Sequence, residues 1–280
     1  MITIGIDVGG SATKIVAFTD EGKLMAPLFV RATDPVTSIY GALGRFTAEN
    51  DFELKDIRRI MVTGAGSAYV GKELYGRPCV RVSEFDSVGR GGLYLSGLTR
   101  AIVVSMGTGT AIVCADEKNG CEYLGGTGVG GGTLMGLSKL LLGMDELEHT
   151  AELAREGSLS KIDLTVSDIT KDSEKLGLPQ NMTAANFGKV SDMATKQDIS
   201  LGLFNMVFET VGMMSIFAAR NKGVDDIVLI GRLSTIAPAR PVFDGLNRLF
   251  PQNFTIPHYS DFGTVIGAAL IGYETSEHRA

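Results

Sequence analysis

The sequence predicts an α/β fold built as two lobes of related topology with a cleft between them. Three observations predict it. Short apolar runs of strand length alternate with stretches of helical length, the pattern of strands joined through helices. A glycine hairpin between two apolar strands at residues 2–18 recurs at residues 101–115. The chain has 280 residues, 44% of them hydrophobic, enough to bury one large core or two moderate ones.

Residues 2–7 read as a strand, Gly9, Gly10 and Ser11 as a tight turn, and residues 14–18 as the returning strand. A third strand is expected over 27–31, a helix over 36–49 and a strand over 59–63, with helices beginning near Gly66 and near Phe85. The pattern then restarts: a strand at 101–105, the turn Gly107, Thr108, Gly109, and a strand at 110–115. This echo suggests that each lobe offers a glycine hairpin to a shared cleft, residues 1–100 forming the first lobe and 101–280 the second. A further strand ends at Leu124, and six of the eight residues 125–132 are glycine. Helices follow at 133–142, stopped by Gly143, and at 144–155. Residues 157–182 read as irregular. A long helix over 198–221 carries Leu201, Phe204, Val207, Phe208, Val211 and Met214, a face wide enough to mean core or subunit-interface packing. A buried strand at 227–230, its turn at Gly231 and a closing helix at 262–273 complete the reading.

Composition narrows the function classes. A net charge of -6, a pI near 5.2 and no basic run argue against nucleic-acid binding, which clusters Lys and Arg against phosphates. Cys79, Cys114 and Cys121 are scattered and lack a His at metal-ligand spacing, so they read as reduced thiols of a cytoplasmic protein. The first residues carry no basic segment or cleavage site of a secretory signal, and no run reaches the roughly 18 apolar residues of a membrane span.

The 36 glycines gather in turns between apolar strands, which points to backbone approached closely by a ligand. Successive glycines let backbone N–H groups converge on phosphate oxygens, and a following helix adds its positive N-terminal end. The run at 125–132, ahead of the helix opened by Thr133, meets that requirement. Gly126, Gly128 and Gly131 also satisfy G-x-G-x-x-G with Asp145 downstream. That fingerprint needs a strand–helix–strand unit, whereas a hairpin precedes this segment and two helices follow it. A Walker A loop fails for want of Gly-Lys-Ser or Gly-Lys-Thr, and a glycine-rich structural turn stays open as the plainer alternative. Asp7 ends the first strand, where it could hold Mg²⁺ through water against the β- and γ-phosphates or simply form a turn. Glu84 stands where a strand or loop enters a helix. A carboxylate there can take a hydroxyl proton during phosphoryl transfer, or serve only as a helix N-terminal charge.

In chain order, Asp7-Val8-Gly9-Gly10, Glu84-Phe85-Asp86, Gly107-Thr108-Gly109-Thr110, Gly128-Val129-Gly130-Gly131-Gly132, Thr183-Ala184-Ala185-Asn186-Phe187-Gly188 and Ile230-Gly231 resemble the type II pantothenate kinases. These lie within the superfamily of sugar and acetate kinases, heat-shock chaperone ATPases and actin. The resemblance implies two actin-like, ribonuclease H-like lobes around a nucleotide cleft, and a homodimer. It implies that Asp7, Val8, Gly9, Gly10, Ser11, Ala12, Thr13 and Lys14 bind the phosphates of ATP, with Asp7 also on Mg²⁺, and that Thr108 lies at the cleft. Gly130, Gly131, Gly132, Thr133, Leu134 and Met135 would complete the nucleotide site, together with Leu147, while Arg232 would border the adenosine. Glu84 would be the catalytic base. The implied activity is ATP-dependent phosphorylation of pantothenate to 4'-phosphopantothenate, the first step towards coenzyme A. Two departures fall on the acceptor side. The family usually carries an arginine just before the glycine run, where this chain has Glu122-Tyr123-Leu124, and a small hydroxyl residue where it has Ala111. A kinase of another small alcohol and a non-catalytic nucleotide sensor or activator ATPase remain the alternatives.

Overall fold

The structure is a computed structural model that describes residues 1–10, 12–31, 34–171 and 179–277. Strands β1 (Ile2–Val8) and β2 (Ala12–Thr19) form an antiparallel hairpin that pairs Asp7 with Lys14 and Val8 with Thr13. On one side lies β3 (Leu28–Arg31); on the other, β4 (Ile57–Thr63) runs parallel to β1, followed by β6 (Arg77–Arg81) and the edge strand β5 (Glu73–Leu74). The second sheet repeats the scheme. There β7 (Arg100–Met106) and β8 (Thr110–Asp116) form the hairpin, β9 (Gly120–Thr127) flanks it, and β12 (Asp226–Ile230) runs parallel to β7 with β13 (Asn253–Thr255) outside. A hairpin whose first strand also pairs in parallel with a later strand is thus the unit of both sheets, as the repeated glycine turn predicts.

Alternation along the strands sets what each sheet covers. Ile4, Ile6 and Val8 of β1 join Ile15 and Ala17 of β2 on the face covered by α1 (Pro35–Glu49), which contributes Ile39, Leu43 and Phe46. Asp34 caps α1, its side chain accepting from the Thr37 amide at 2.7 Å ahead of Pro35 in the first turn, a pairing that stabilises a helix by about 1 kcal/mol. On the second sheet lies α6 (Lys196–Lys222), with α3 (Gly131–Leu142), α4 (Leu147–Ala154) and α7 (Ala239–Leu249) around it. Phe204, Val207, Phe208 and Val211 of α6 are fully buried against Ile102, Val104 and Leu229. By length and composition α6 would pass for a membrane span, but it is more than half buried as a core helix.

Two helices cross over between the sheets. Helix α2 (Glu84–Ser96) follows the first sheet in the chain yet packs on the second, Val88 and Leu93 meeting Val103, Val113 and Val228. Helix α8 (Gly263–Glu277) follows the second sheet yet packs on the first, Val265, Ile266 and Ala269 meeting Val16 and Phe18. Where α2 and α8 cross, the backbones touch: a Cβ on Gly91 would strike the Gly263 carbonyl, and one on Gly267 would strike the Ser87 carbonyl.

Several elements differ from expectation. The segment near Gly66 is a 3₁₀ turn, Ala65–Tyr69, and not a longer helix. The β5–β6 pair lacks apolar alternation and escapes a sequence reading; α7 escapes it too, although its buried Ala239, Phe243 and Leu246 recur at helical spacing. The stretch read as irregular contains β10 (Leu164–Thr165) and the one-turn helix α5 (Val166–Ile169), with β10 pairing to β11 (Thr183–Ala185) beyond it; residues 172–178 lie outside the described residues.

The crossing generates a test. Gly91→Val forces a branched side chain into backbone and is expected to lower unfolding stability by roughly 1–3 kcal/mol or more, the cost of overpacking. Gly41, inside α1, has nothing within 4 Å of its Cβ position, so Gly41→Ala should raise stability by about 0.5–1 kcal/mol. Denaturant titration of both variants reads the contrast, and equal stabilities would refute the backbone contact.

Candidate functional site

The end of β1 carries Asp7, and two features crowd it. Lys14 is its cross-strand partner on β2, and a Cβ on Gly64, just past β4, would strike the Asp7 carboxylate. Burial pushes the Asp7 carboxyl above its usual range, with the Lys14 charge pulling the other way. Glu84 occupies the first position of α2, behind Ser83, whose hydroxyl accepts from the Asp86 amide at 3.3 Å. Its carboxyl is also pushed up, first by desolvation and second by the negative charge of Asp7, although it keeps an exposed face. Glu84 thus feels the charge of Asp7, a residue far from it in sequence. Lys14 ties this corner to the second half of the chain, its ammonium donating to the Asp261 carbonyl at 2.6 Å.

The second hairpin holds the glycine run rather than standing apart from it. The Gly131 amide donates to the Gly107 carbonyl at 2.9 Å, and the Gly132 amide to the Thr108 carbonyl at 2.8 Å. Gly130 donates to the Thr133 hydroxyl at 3.3 Å, while that hydroxyl donates to the Gly128 carbonyl at 2.8 Å. A Cβ on Gly131 would lie 2.9 Å from the Gly107 oxygen, so the absence of a side chain is what lets α3 start against the hairpin. The amides of Gly130, Gly131 and Gly132 are thus engaged within the protein, while those of Gly128 and Thr133 in the same segment donate to nothing among the described residues. The amides of Gly10, Thr108 and Gly109 at the two hairpin bends donate to nothing among the described residues. They are open donors.

The remaining predicted residues divide by side-chain direction. Val8, Thr13 and Leu134 are fully buried, and Leu147 nearly so, with the three apolar side chains in the two cores; what they present to a ligand is backbone. Gly9 donates to the Ala12 carbonyl at 2.9 Å, closing the first bend, and Ser11 lies outside the described residues. Thr108 and Met135 are exposed. Arg232 pairs with Glu148 of α4 and lies over the Phe29 ring of β3, 5.4 Å from its centroid. It borders a cavity of about 260 Å³ that also meets Ala151, Arg155 and Thr235–Ala237. A larger concavity of about 670 Å³ lies on the other side of the same short segment, against His258–Asp261.

On the far side of Glu84, Phe85 stacks on Tyr123 of β9 at 3.9 Å between centroids and 14° between planes. Arg90, one turn and a half along α2, is paired with Glu274. Sequence reasoning missed Asp261, Phe29 and Thr63. Thr63 sits in register with Asp7 on the parallel strand, and its hydroxyl is buried without a partner; a lone threonine at a strand end carries no signal in sequence.

A family profile described as Fumble matches residues 96–239. Among curated proteins, the type II pantothenate kinase of Bacillus cereus (strain G9842) is 31% identical over 247 residues, covering 82% of this chain and 83% of the relative. That of Oceanobacillus iheyensis is 30% identical over 279 residues, covering 96% of this chain and 99% of its own. Among solved structures, the ADPNP-bound activator of the 2-hydroxyisocaproyl-CoA dehydratase from Clostridium difficile aligns with a TM-score of 0.71 at 17% identity, covering 100% of this chain and 97% of that one. Its likeness shows that the two-sheet fold is of the actin-like ATPase type.

The carboxylate pair predicts a pH-dependent cost. A carboxyl raised by folding binds more protons folded than unfolded, so its stability contribution is present below the unfolded pKa and is lost as pH rises through the folded value. Asp7→Asn removes the buried charge, and at pH 7 the ligand-free variant should melt above the parent. The gain should vanish below about pH 4, where the unfolded carboxyl is also neutral. Thermal melts across that range decide it, and identical melting at pH 7 would contradict the assignment.

Proposed function

The chain belongs to the Fumble family, and from that premise we propose that it is a kinase transferring the γ-phosphoryl group of ATP to the primary alcohol of pantothenate. The single observation that carries the reading is the convergence of Asp7 and Glu84, both pushed above the ordinary carboxylate range by burial, with the charge of Asp7 adding to the rise at Glu84. Perturbed carboxylates facing each other mark functional sites more often than they mark plain turns. Glu84 is the base. Its raised pKa brings it towards neutral pH, where proton acceptance is most effective. As the bond between the γ-phosphorus and the β,γ-bridging oxygen breaks and the bond to the acceptor oxygen forms, the hydroxyl proton passes to Glu84 and ADP leaves.

The rest of the site serves position and charge. The open amides of Gly10, Thr108 and Gly109 donate to phosphate oxygens, with residues 8–10 and 12–14 shaping the first bend. Gly130 to Met135 hold the second bend against α3, and Leu147 and Arg232 flank the nucleoside. Lys14, tethered to Asp261, keeps a positive charge beside Asp7. No cluster of three metal-ligating side chains exists among the described residues, and the Asp7 carboxylate has no protein hydrogen bond among them. That suits Mg²⁺, which keeps most of its water and binds through one or two carboxylates plus substrate phosphates. When bound at Asp7, Mg²⁺ supplies neutralisation of phosphate charge. We further place the enzyme in the cytoplasm as a homodimer, a reading supported by the 59% exposed Phe217 on α6.

Purified protein with ATP, Mg²⁺ and pantothenate should yield 4'-phosphopantothenate by mass spectrometry. Glu84→Gln should lower turnover by roughly 10²–10⁴ with ATP affinity nearly unchanged. ATP hydrolysis without a phosphorylated alcohol, undiminished in Glu84→Gln, would instead make the chain a nucleotide sensor or activator. Asp7→Asn should raise the Mg²⁺ concentration needed for half-maximal rate, and an unaltered titration would remove Asp7 from the metal.

A further inference from the structure

The Thr63 hydroxyl at the end of β4 is fully buried and has no hydrogen-bond partner among the described residues. Buried hydroxyls are normally paired, because an unpaired one has given up its hydration for nothing. Thr63 is in register with Asp7 on the parallel strand β1. Residues in register on neighbouring strands, about 4.8 Å apart, put their side chains on the same face of a sheet. Asp7 in turn accepts no hydrogen bond from the protein among the described residues and is only half-buried. A donor without an acceptor thus stands beside an acceptor without a donor. The other orphaned side-chain atoms, on Thr13, Ser138 and Gln252, lie elsewhere. Thr13, the nearest of them in the sheet, is in register with Val8, whose side chain lies in the core under α1, on the face opposite to Asp7.

Two contacts fix Thr63 in place. A Cβ on Gly64 would strike both the Asp7 carboxylate and the Val8 carbonyl, so the chain just past Thr63 closes on Asp7 with no room for a side chain. On the other side of β4, the Val82 amide donates to the Val62 carbonyl at 3.0 Å, which brings the segment that opens α2 with Glu84 alongside. With β4 between β1 and β6 in the sheet, Thr63 stands on the strand between the two carboxylates.

We propose that Thr63 is a positioning residue for Asp7: its hydroxyl donates to one water, which donates to the Asp7 carboxylate and holds it turned towards the Mg²⁺ of the bound nucleotide. The inference rests on the reading of Asp7 as the Mg²⁺ carboxylate and deepens it. A buried water needs at least two polar partners to stay in place, and a hydroxyl beside a carboxylate supplies them. Mg²⁺ demands near-ideal geometry from its few protein ligands, so a carboxylate free to turn about its own side-chain torsions holds it less well than one that is tied. Valine at position 63 keeps the shape of the side chain and removes the donor.

The test measures binding of ADPNP by titration calorimetry, with Mg²⁺ and with EDTA in its place, on the full-length protein and on its Thr63→Val and Thr63→Ser variants. Mg²⁺ should tighten binding to the unaltered protein. That gain should be about three- to tenfold smaller in Thr63→Val, the worth of one ordinary hydrogen bond, and restored in Thr63→Ser, with the affinity in EDTA the same in all three. Ligand-free Thr63→Val should melt no lower than the unaltered protein, since no hydrogen bond within the protein is lost. An equal Mg²⁺ gain in Thr63→Val overturns the inference. So does a lower melting temperature, or an equal loss of affinity in EDTA, either of which would make Thr63 a purely structural residue. If Mg²⁺ leaves binding to the unaltered protein unchanged, the reading of Asp7 falls as well. Binding needs no acceptor alcohol, so a failure to phosphorylate pantothenate with the Mg²⁺ pattern intact removes the kinase reading and leaves the role of Thr63 standing.

Discussion

The contact on which the rest depends is the crossing of α2 and α8. Its glycines let two backbones meet without side chains between them, and each helix carries a site element at its start. Glu84 opens α2, and Asp261, which accepts from Lys14, stands just ahead of α8. Because α2 lies on the second sheet and α8 on the first, the crossing fixes where Glu84 stands relative to the first hairpin. A contact made of backbone has no rotamers to repack, so the spacing at the helix starts is closely set. The ion pair of Arg31 with Glu146, which links the two halves, is exposed and contributes little to holding them together.

Glycine does two kinds of work in this chain, and the structure separates them. At 130–132 it allows α3 to start against the second hairpin, the amides of Gly131 and Gly132 being spent on the hairpin carbonyls. At the bends themselves it leaves amides free. The helix start thus acts as a brace for the turn. Leu233 completes the brace, 3.7 Å from the Cβ position of Gly131, which links the turn after Gly231 to the same cluster.

Much of this was legible in the sequence. The two hairpins, α1 and the buried strands follow from period-two apolar runs and from Asp34-Pro35 at a helix start. The proximity of Asp7 and Glu84 was not derivable from spacing, because it depends on the exchange of helices between sheets, and Val88 or Val265 reads the same whichever sheet it covers. Strand β6 is half exposed and begins Arg77-Pro78, so it lacks both alternation and a clean start. Thr63 and Phe29 became visible only through neighbours distant in the chain. The stack of Phe85 on Tyr123 belongs with them: each residue alone is an ordinary aromatic, and only pairing across α2 and β9 gives them a face.

Helix α6 deserves a different kind of attention for what it demands during synthesis. It is apolar enough to pass for a membrane span, so a nascent chain that exposed it alone would offer an attractive segment to any lipid or sticky surface nearby. The order of elements guards against this. Strands β7 to β9 and helices α3 and α4 precede it, and their side chains, among them Ile102, Val104, Leu134 and Leu142, form the surface it covers. Since chains fold from the N-terminal side as they emerge, the shelter for α6 is made before the helix itself.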